Sequence, residues 1–120
     1  MNLEKIVIEL NLKVFSGFDK LNTDVLDGYT GDLLSDVMAN SKEGDLWMTR
    51  QVHQNIIAVA SLKDHAGIIL VHGAEPAKDT LEKALKENIP LLGTDLPGFE
   101  IAGRIFNIIR GKKEIAAQNP

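Results

Sequence analysis

Polar residues that could bind an anion are concentrated in a loop that follows a short apolar run. This loop contains Thr49, Arg50, His53, Gln54 and Asn55. A guanidinium beside the free backbone N–H groups at the start of a helix is a common way to hold a phosphate or carboxylate. The loop therefore predicts binding of a nucleotide or another phosphorylated metabolite.

Two further loops add polar groups to the same predicted site. One contains Gly73, where the backbone can turn tightly or approach a ligand, and the other contains Thr94 and Asp95. Ligands bind at the carboxyl ends of parallel strands, so the three loops should share one rim of the molecule. The predicted ligand-binding residues are Thr49, Arg50, His53, Gln54, Asn55, Gly73, Thr94 and Asp95.

Structural roles are alternatives for the charged and polar residues of the first loop. Arg50 could pair with Asp95 or Glu75 without any ligand. Thr49 or Asn55 could satisfy the free N–H groups at the start of a helix.

The remaining site residues also have structural alternatives. His53 would titrate near neutral pH and could sense protons, but a lone loop histidine is more often structural. Thr94 and Asp95 stand just before Leu96-Pro97, where they could cap a helix. Glycine at position 73 could serve a turn alone.

Motifs for catalysis and metal binding are missing from the sequence. It contains no cysteine, no G-x-x-x-x-G-K-[ST] phosphate-binding loop and no G-x-S-x-G nucleophile elbow. The three histidines lack the spacing of a zinc site. Carboxylates at Asp32 and Asp36 could suggest a metal, but at the start of a helix they more often complement its dipole. We expect no catalytic residue, no metal and no cofactor.

The composition indicates one globular domain. The chain has 120 residues, 44% hydrophobic and 25% charged, and a formal net charge of -4 that disfavours nucleic-acid binding. No apolar run reaches the ~20 residues of a membrane span, and the start lacks a signal peptide. We therefore expect a soluble, cytoplasmic protein that binds neither nucleic acid nor membrane.

Hydrophobic periodicity predicts an α/β fold. The first half should contain a short helix, a strand at Leu12–Phe15, turn-rich chain at Asp19–Gly31 extended near Val25, and a helix from Leu33 that Asp32 caps. The second half should contain strands at Asp45–Thr49, Gly67–Val71 and Ile89–Gly93, and helices at His53–Asp64, around Leu81–Leu85 and at Pro97–Ile109. Because single helices separate these strands, the sheet should be mostly parallel and flanked by helices.

For two helices the sequence also predicts which side faces the core. The helix around Leu81 should turn Leu81, Ala84 and Leu85 toward the core and place Glu82 and Lys86 as an ion pair on its exposed side. The final helix should bury Phe99, Ala102, Ile105, Phe106 and Ile109.

The run from Gly28 to Asn40, followed by the run from Gly44 to Asn55, resembles the DRTGG domain family. The similar pattern continues through residues 56–62, 66–73, 89–95 and 99–103, and covers about residues 12 to 108. We therefore expect one DRTGG-like domain over residues 1–110, followed by a frayed tail at 111–120. The resemblance also implies similarity to the N-terminal domain of HPr kinase, without that enzyme's separate kinase domain.

The resemblance implies regulation by a homodimer and not catalysis. Our first hypothesis is a ligand-sensing regulatory domain that binds a nucleotide or other anionic metabolite at the strand ends. The alternative is a dimerisation or docking module for a partner enzyme, with no small-molecule ligand.

Overall fold

Apolar runs of the sequence form the centre of a five-stranded sheet. The computed structural model describes residues 1–111, and its strands are β1 (Lys13–Ser16), β2 (Asp27–Thr30), β3 (Asp45–Thr49), β4 (Gly67–Leu70) and β5 (Leu91–Gly93). Their order across the sheet is β1-β5-β4-β3-β2. Strands β2 to β5 are parallel, and β1 is antiparallel to β5. The predicted α/β class with a mostly parallel sheet is confirmed.

Helices cover both faces of this sheet. They are α1 (Leu3–Glu9), α2 (Leu34–Asn40), α3 (Asn55–Leu62), α4 (Lys78–Glu87) and α5 (Gly98–Phe106), which continues into a π-helical turn at Asn107–Gly111. One core joins α1 and α5 to Met48, Ile69 and Leu92. The other joins α2, α3 and α4 to the alternating strand residues, such as Trp47 and Ile68, because successive side chains of a strand point to opposite faces.

The register of the central strands brings their carboxyl ends to one edge. Thr49 of β3 pairs with Leu70 of β4, and Leu70 pairs with Gly93 of β5. The loops after these strands therefore start side by side, as the strand-end rule predicts. None of the described helices is long and apolar enough to cross a membrane.

Strand β2 was not predicted as a strand. The sequence suggested turn-rich chain there, because Asp27, Gly28 and Thr30 give no alternating or continuous apolar pattern. Strand β2 lies at the edge of the sheet and pairs only with β3. This strand is defined by its pairing with the buried strand β3. A short-range sequence pattern cannot show such pairing.

Several side chains predicted to be buried are exposed. Phe99 and Phe106 are 95% and 46% exposed because Ile101 and Ile105 set the inner side of α5, so the aromatic rings fall on its outer side. The apolar pattern of the predicted helix at 53–64 also placed Leu62 in the core, but Leu62 is the last residue of α3 and is 74% exposed. The remaining core predictions for α5, Ala102, Ile105 and Ile109, contact the core.

Helix α4 confirms the predicted burial of Ala84 but not that of Leu85. Thr80 and Ala84 face the core, and Leu85 is exposed. The ion pair on this helix joins Lys83 to Glu87 at 3.1 Å, in place of the predicted pair of Glu82 and Lys86. The predicted tail lies outside the described residues, except for Gly111.

Candidate ligand-binding cleft

A cleft of about 370 Å³ opens at the carboxyl ends of β2, β3 and β4, beside the first turn of α5. Its volume lies within the range typical of small-molecule sites. The residues that line it are Thr30, Gly31, Asp32, Met48, Thr49, Arg50, Val71, His72, Gly98, Phe99 and Ala102. Two of the predicted site residues, Thr49 and Arg50, are among them.

Asp32 connects the loop after β2 to the end of β3. One of its carboxylate oxygens accepts hydrogen bonds from the Thr49 hydroxyl and from the Arg50 backbone N–H, each at 2.8 Å. The prediction that Asp32 caps α2 is wrong, because Leu33 occupies the cap position and no side chain bonds there. The carboxylate instead fixes the backbone of Arg50.

Three more hydrogen bonds hold the same two loops together. The Gln51 side-chain amide donates to the Asp32 carbonyl at 2.9 Å, and the Trp47 indole N–H donates to the Gly31 carbonyl at 2.9 Å. The Gly31 N–H donates to the Met48 carbonyl at 3.2 Å. This side of the cleft is therefore held in place before any ligand binds, as an efficient binding site requires.

The Arg50 guanidinium is exposed and has no ion-pair or hydrogen-bond partner within residues 1–111. The proposed pairing of Arg50 with Glu75 or Asp95 is therefore wrong. Glu75 lies 3.7 Å from the Lys13 ammonium instead. Arg50 combines a fixed backbone with a guanidinium available to an anion.

The loops after β4 and β5 form the other side of the rim. His72 and Gly73 both have left-handed backbone angles, with φ of 59° and 71°. Their N–H groups donate to Leu96 and Thr94 carbonyls at 2.8 and 2.9 Å. These bonds join the two loops and hold His72 at the cleft that Arg50 also lines.

Gly73, Thr94 and Asp95 line a separate, smaller cleft of about 200 Å³ beside β1. The Thr94 hydroxyl accepts a bond from the Leu96 N–H at 3.2 Å. The alternative that Thr94 and Asp95 cap α5 is wrong, since Pro97 is the cap residue and no side chain bonds there.

His53, Gln54 and Asn55 are exposed and line neither of these two clefts. Gln54 occupies the cap position of α3 without a side-chain bond, and Asn55 is the first helical residue. The eight predicted residues therefore share the rim of the sheet but divide into three groups.

Sequence reasoning did not select Asp32, His72 or Phe99 for this site. The strand-end rule would have selected Asp32 if β2 had been recognised. His72 stood within a loop that the rule did select. Phe99 follows Pro97-Gly98, where a helix begins soon after a strand ends. That position in the sequence indicates an aromatic group near the rim.

The cleft combines an apolar floor with a few polar groups. Met48, Val71 and Ala102 supply the apolar surface, the Phe99 ring is exposed, and Arg50 provides positive charge. Such a combination suits a ligand with an aromatic ring and an anionic group. A group of three or more His, Asp or Glu side chains that could hold a metal does not occur within the described residues.

Asp36, the other carboxylate of the metal alternative, has partners of its own. The Tyr29 hydroxyl donates to one Asp36 oxygen at 2.6 Å, and the Asn40 amide donates to the other at 2.9 Å. The hydrogen bond to Asp36 raises the pKa of the Tyr29 hydroxyl, with burial adding to the effect.

Comparisons with known proteins identify the fold. A similar solved structure contains the CBS and DRTGG domains of the regulatory region of a Clostridium perfringens pyrophosphatase, complexed with its activator, diadenosine tetraphosphate. The TM-score is 0.70 at 20% sequence identity, over 90% of this chain and 46% of that chain. No protein-family model and no curated protein matches the sequence. The predicted DRTGG-like domain is thereby confirmed at the level of the fold, and this chain spans less than half of the similar one.

Proposed function

We propose that this domain is a ligand-sensing regulatory module that binds a nucleotide or similar anionic metabolite in the cleft of about 370 Å³. The observation that carries the proposal is that one cleft is lined by the exposed Phe99 ring and by Arg50, whose guanidinium has no partner among residues 1–111. The similar pyrophosphatase region is regulatory and was solved with a dinucleotide activator, which supports this ligand class. On this proposal the domain does not itself catalyse a reaction.

The cleft supplies a different contact for each part of a nucleotide. Arg50 would bind a phosphate through two N–H groups, and the Phe99 ring would stack on the base. The first turn of α5 has no side-chain cap, so N–H groups near Gly98 remain available to an anion. His72 lies at the same cleft and can donate a further hydrogen bond.

Thermal unfolding in the presence of AMP, ADP, ATP, diadenosine tetraphosphate and inorganic phosphate tests the proposal. A ligand present at about 100 times its Kd stabilises the native state by about 2.7 kcal/mol, which raises Tm by roughly 10 °C. Arg50→Ala should weaken the binding about tenfold or more, because a charged hydrogen bond is lost. Lys86→Ala removes the same charge from the far end of α4 and should leave binding unchanged.

Two results would count against ligand sensing. One is a Tm that none of these compounds shifts at millimolar concentration. The other is a shift that Arg50→Ala and Lys86→Ala reduce equally, since that would reflect only the net charge of the domain.

A second candidate function is a docking module for a partner enzyme that works without a small ligand. The exposed phenylalanines of α5 favour it, since clustered apolar side chains on a surface often mark an interaction site. A stable complex with an enzyme whose affinity does not change in Arg50→Ala would support docking over sensing.

A further inference from the structure

A second cleft, of about 330 Å³, continues from the ligand-binding cleft along α5. It lies between α5 and the edge strand β2, and we call it the β2 cleft. The two clefts share Thr30, Met48 and Ala102 as walls. Together they extend along the helix from Gly98 to Ile109, which is roughly 15 Å at the rise of an α-helix. One elongated ligand could therefore occupy both.

The walls of the β2 cleft are mainly apolar. Met48, Ile105 and Ile109 supply aliphatic surface, and the half-exposed Phe106 ring closes the outer side. Gly28 lies on the β2 side, where a Cβ would stand 3.2 Å from the Met48 methyl group and 3.7 Å from Ile105. Glycine inside a strand often marks a close approach, and here the missing side chain keeps the floor of the cleft open.

The charged side chains of the β2 cleft are already paired with each other. The Arg110 guanidinium donates to both carboxylate oxygens of Asp27, with Nε 2.9 Å from Oδ1, and it also lies over the Phe106 ring. The Tyr29 hydroxyl donates to Asp36. A nucleobase would have to compete with these bonds for its own polar edge, whereas an aliphatic chain needs no hydrogen bond. The β2 cleft therefore suits an aliphatic chain better than a second base.

We propose that the β2 cleft binds an aliphatic chain linked to the phosphate of the ligand in the neighbouring cleft. This inference rests on the proposed function and narrows its ligand class to a nucleotide that carries an alkyl or acyl group on its phosphate. Arg50 provides positive charge at one end of the continuous groove, and the mutually neutralised pair of Asp27 and Arg110 stands at the other end. An anion with an apolar extension matches this distribution of charge and apolar surface.

Isothermal titration of the full 120-residue chain with alkyl esters of AMP tests the inference. The methyl, butyl, hexyl and octyl phosphate esters carry the same charge, so they differ only in chain length. Affinity should rise about threefold with each methylene group that enters the β2 cleft, and at least roughly 100-fold from the methyl to the octyl ester. The octyl ester should also shift the amide resonances of Gly28 and Ile109, which the methyl ester should leave unchanged.

Two variants place the chain in the β2 cleft. Phe106→Ser removes one wall, and Gly28→Ala adds a methyl group to the floor. Each should reduce the gain from chain length at least about fivefold and leave the affinity for the methyl ester unchanged. Phe18→Ser, at an exposed phenylalanine in the short helical turn Phe18–Lys20, is the matched control and should behave as wild type.

Esters that all bind with the affinity of the methyl ester overturn the inference and leave nucleotide sensing intact. Failure of AMP and of every ester to bind overturns both proposals. A chain-length gain that Phe106→Ser and Gly28→Ala leave as large as in Phe18→Ser also overturns the inference, because the chain would then lie elsewhere. If diadenosine tetraphosphate gains more over AMP than the octyl ester gains over the methyl ester, and shifts the same amides, the cleft takes a second base and the aliphatic assignment is wrong.

Discussion

His65 lies in the core with one ring nitrogen bonded and the other unpartnered. The Ser41 hydroxyl donates its hydrogen to the Val37 carbonyl at 2.6 Å, so it must accept from the His65 Nε2–H at 2.8 Å. Nδ1 is buried and has no partner among the described atoms. A proton on Nδ1 would therefore be buried without an acceptor, and burial lowers the pKa of this imidazole.

The lowered pKa of His65 predicts a loss of stability in mild acid. The unfolded chain takes up this proton as pH falls below about 6.5, whereas the folded chain resists until its lower pKa is reached. The free energy of unfolding should thus fall between these two pKa values and be fully retained above pH 6.5. Urea unfolding at pH 7.5 and pH 5 measures the difference.

Two variants identify His65 as the source of the pH effect. His65→Gln should be less stable at neutral pH but lose less stability on acidification, whereas the exposed His53→Gln should behave as wild type. An equal pH dependence in wild type and His65→Gln would contradict the assignment.

Asp32 should affect both stability and the cleft. Asp32→Ala leaves the Thr49 hydroxyl and the Arg50 N–H without their acceptor, which should cost about 1 to 2 kcal/mol. Asp32→Asn keeps a carbonyl oxygen and should cost less. Urea unfolding of both variants checks the order, and an equal loss in the two would show that the acceptor oxygen is not what matters.

The sequence predicted the position of part of the candidate cleft. Thr49 and Arg50 lie at the carboxyl end of β3 as expected, because β3 is a clear apolar strand whose end can be read from the sequence, and their role in ligand binding stays a prediction. His53, Gln54 and Asn55 follow within the same loop, yet they line neither cleft, since the chain turns into α3. Whether a polar side chain faces a cleft depends on loop geometry that residue types do not encode.

At the scale of elements, alanine substitutions at two glycines should have opposite effects on the free energy of unfolding. Gly17 has φ of 79°, and a Cβ there would lie 2.5 Å from the Pro90 Cα. Gly17→Ala should therefore destabilise the domain by about 2 kcal/mol or more. Gly103→Ala should stabilise the monomer by about 0.5 to 1 kcal/mol, because it removes a helix-interior glycine where space is open. Urea unfolding at low protein concentration measures both, and a destabilised Gly103→Ala would contradict this reading of α5.

The elements predicted best from the sequence are the central strands, which are covered on both faces of the sheet. Strands β3 and β4 are continuous apolar runs, and their predicted bounds match the structure to within a residue. Edge strand β2 lacks such a run and was missed. In α5 the prediction treated every apolar residue as core, although only one side of a surface helix can face the sheet.

At the scale of the whole molecule, the path of α5 creates the cleft. Helices α2, α3 and α4 cover one face, and the chain then crosses from β5 to the other face, where α5 packs against β2 and β3. The start of α5 thereby meets the ends of β3 and β4 at the rim. The same helix presents the side chains of Phe99 and Phe106 to solvent.

Titration of the ¹⁵N-labelled chain with ATP, followed by amide chemical shifts, tests the central claim most directly. A bound nucleotide should produce saturable shifts at Thr49, Arg50, His72, Gly98 and Phe99, and Arg50→Ala should weaken them together. If millimolar ATP shifts none of these amides, or shifts only amides at the opposite edge of the sheet, the cleft is not a nucleotide site.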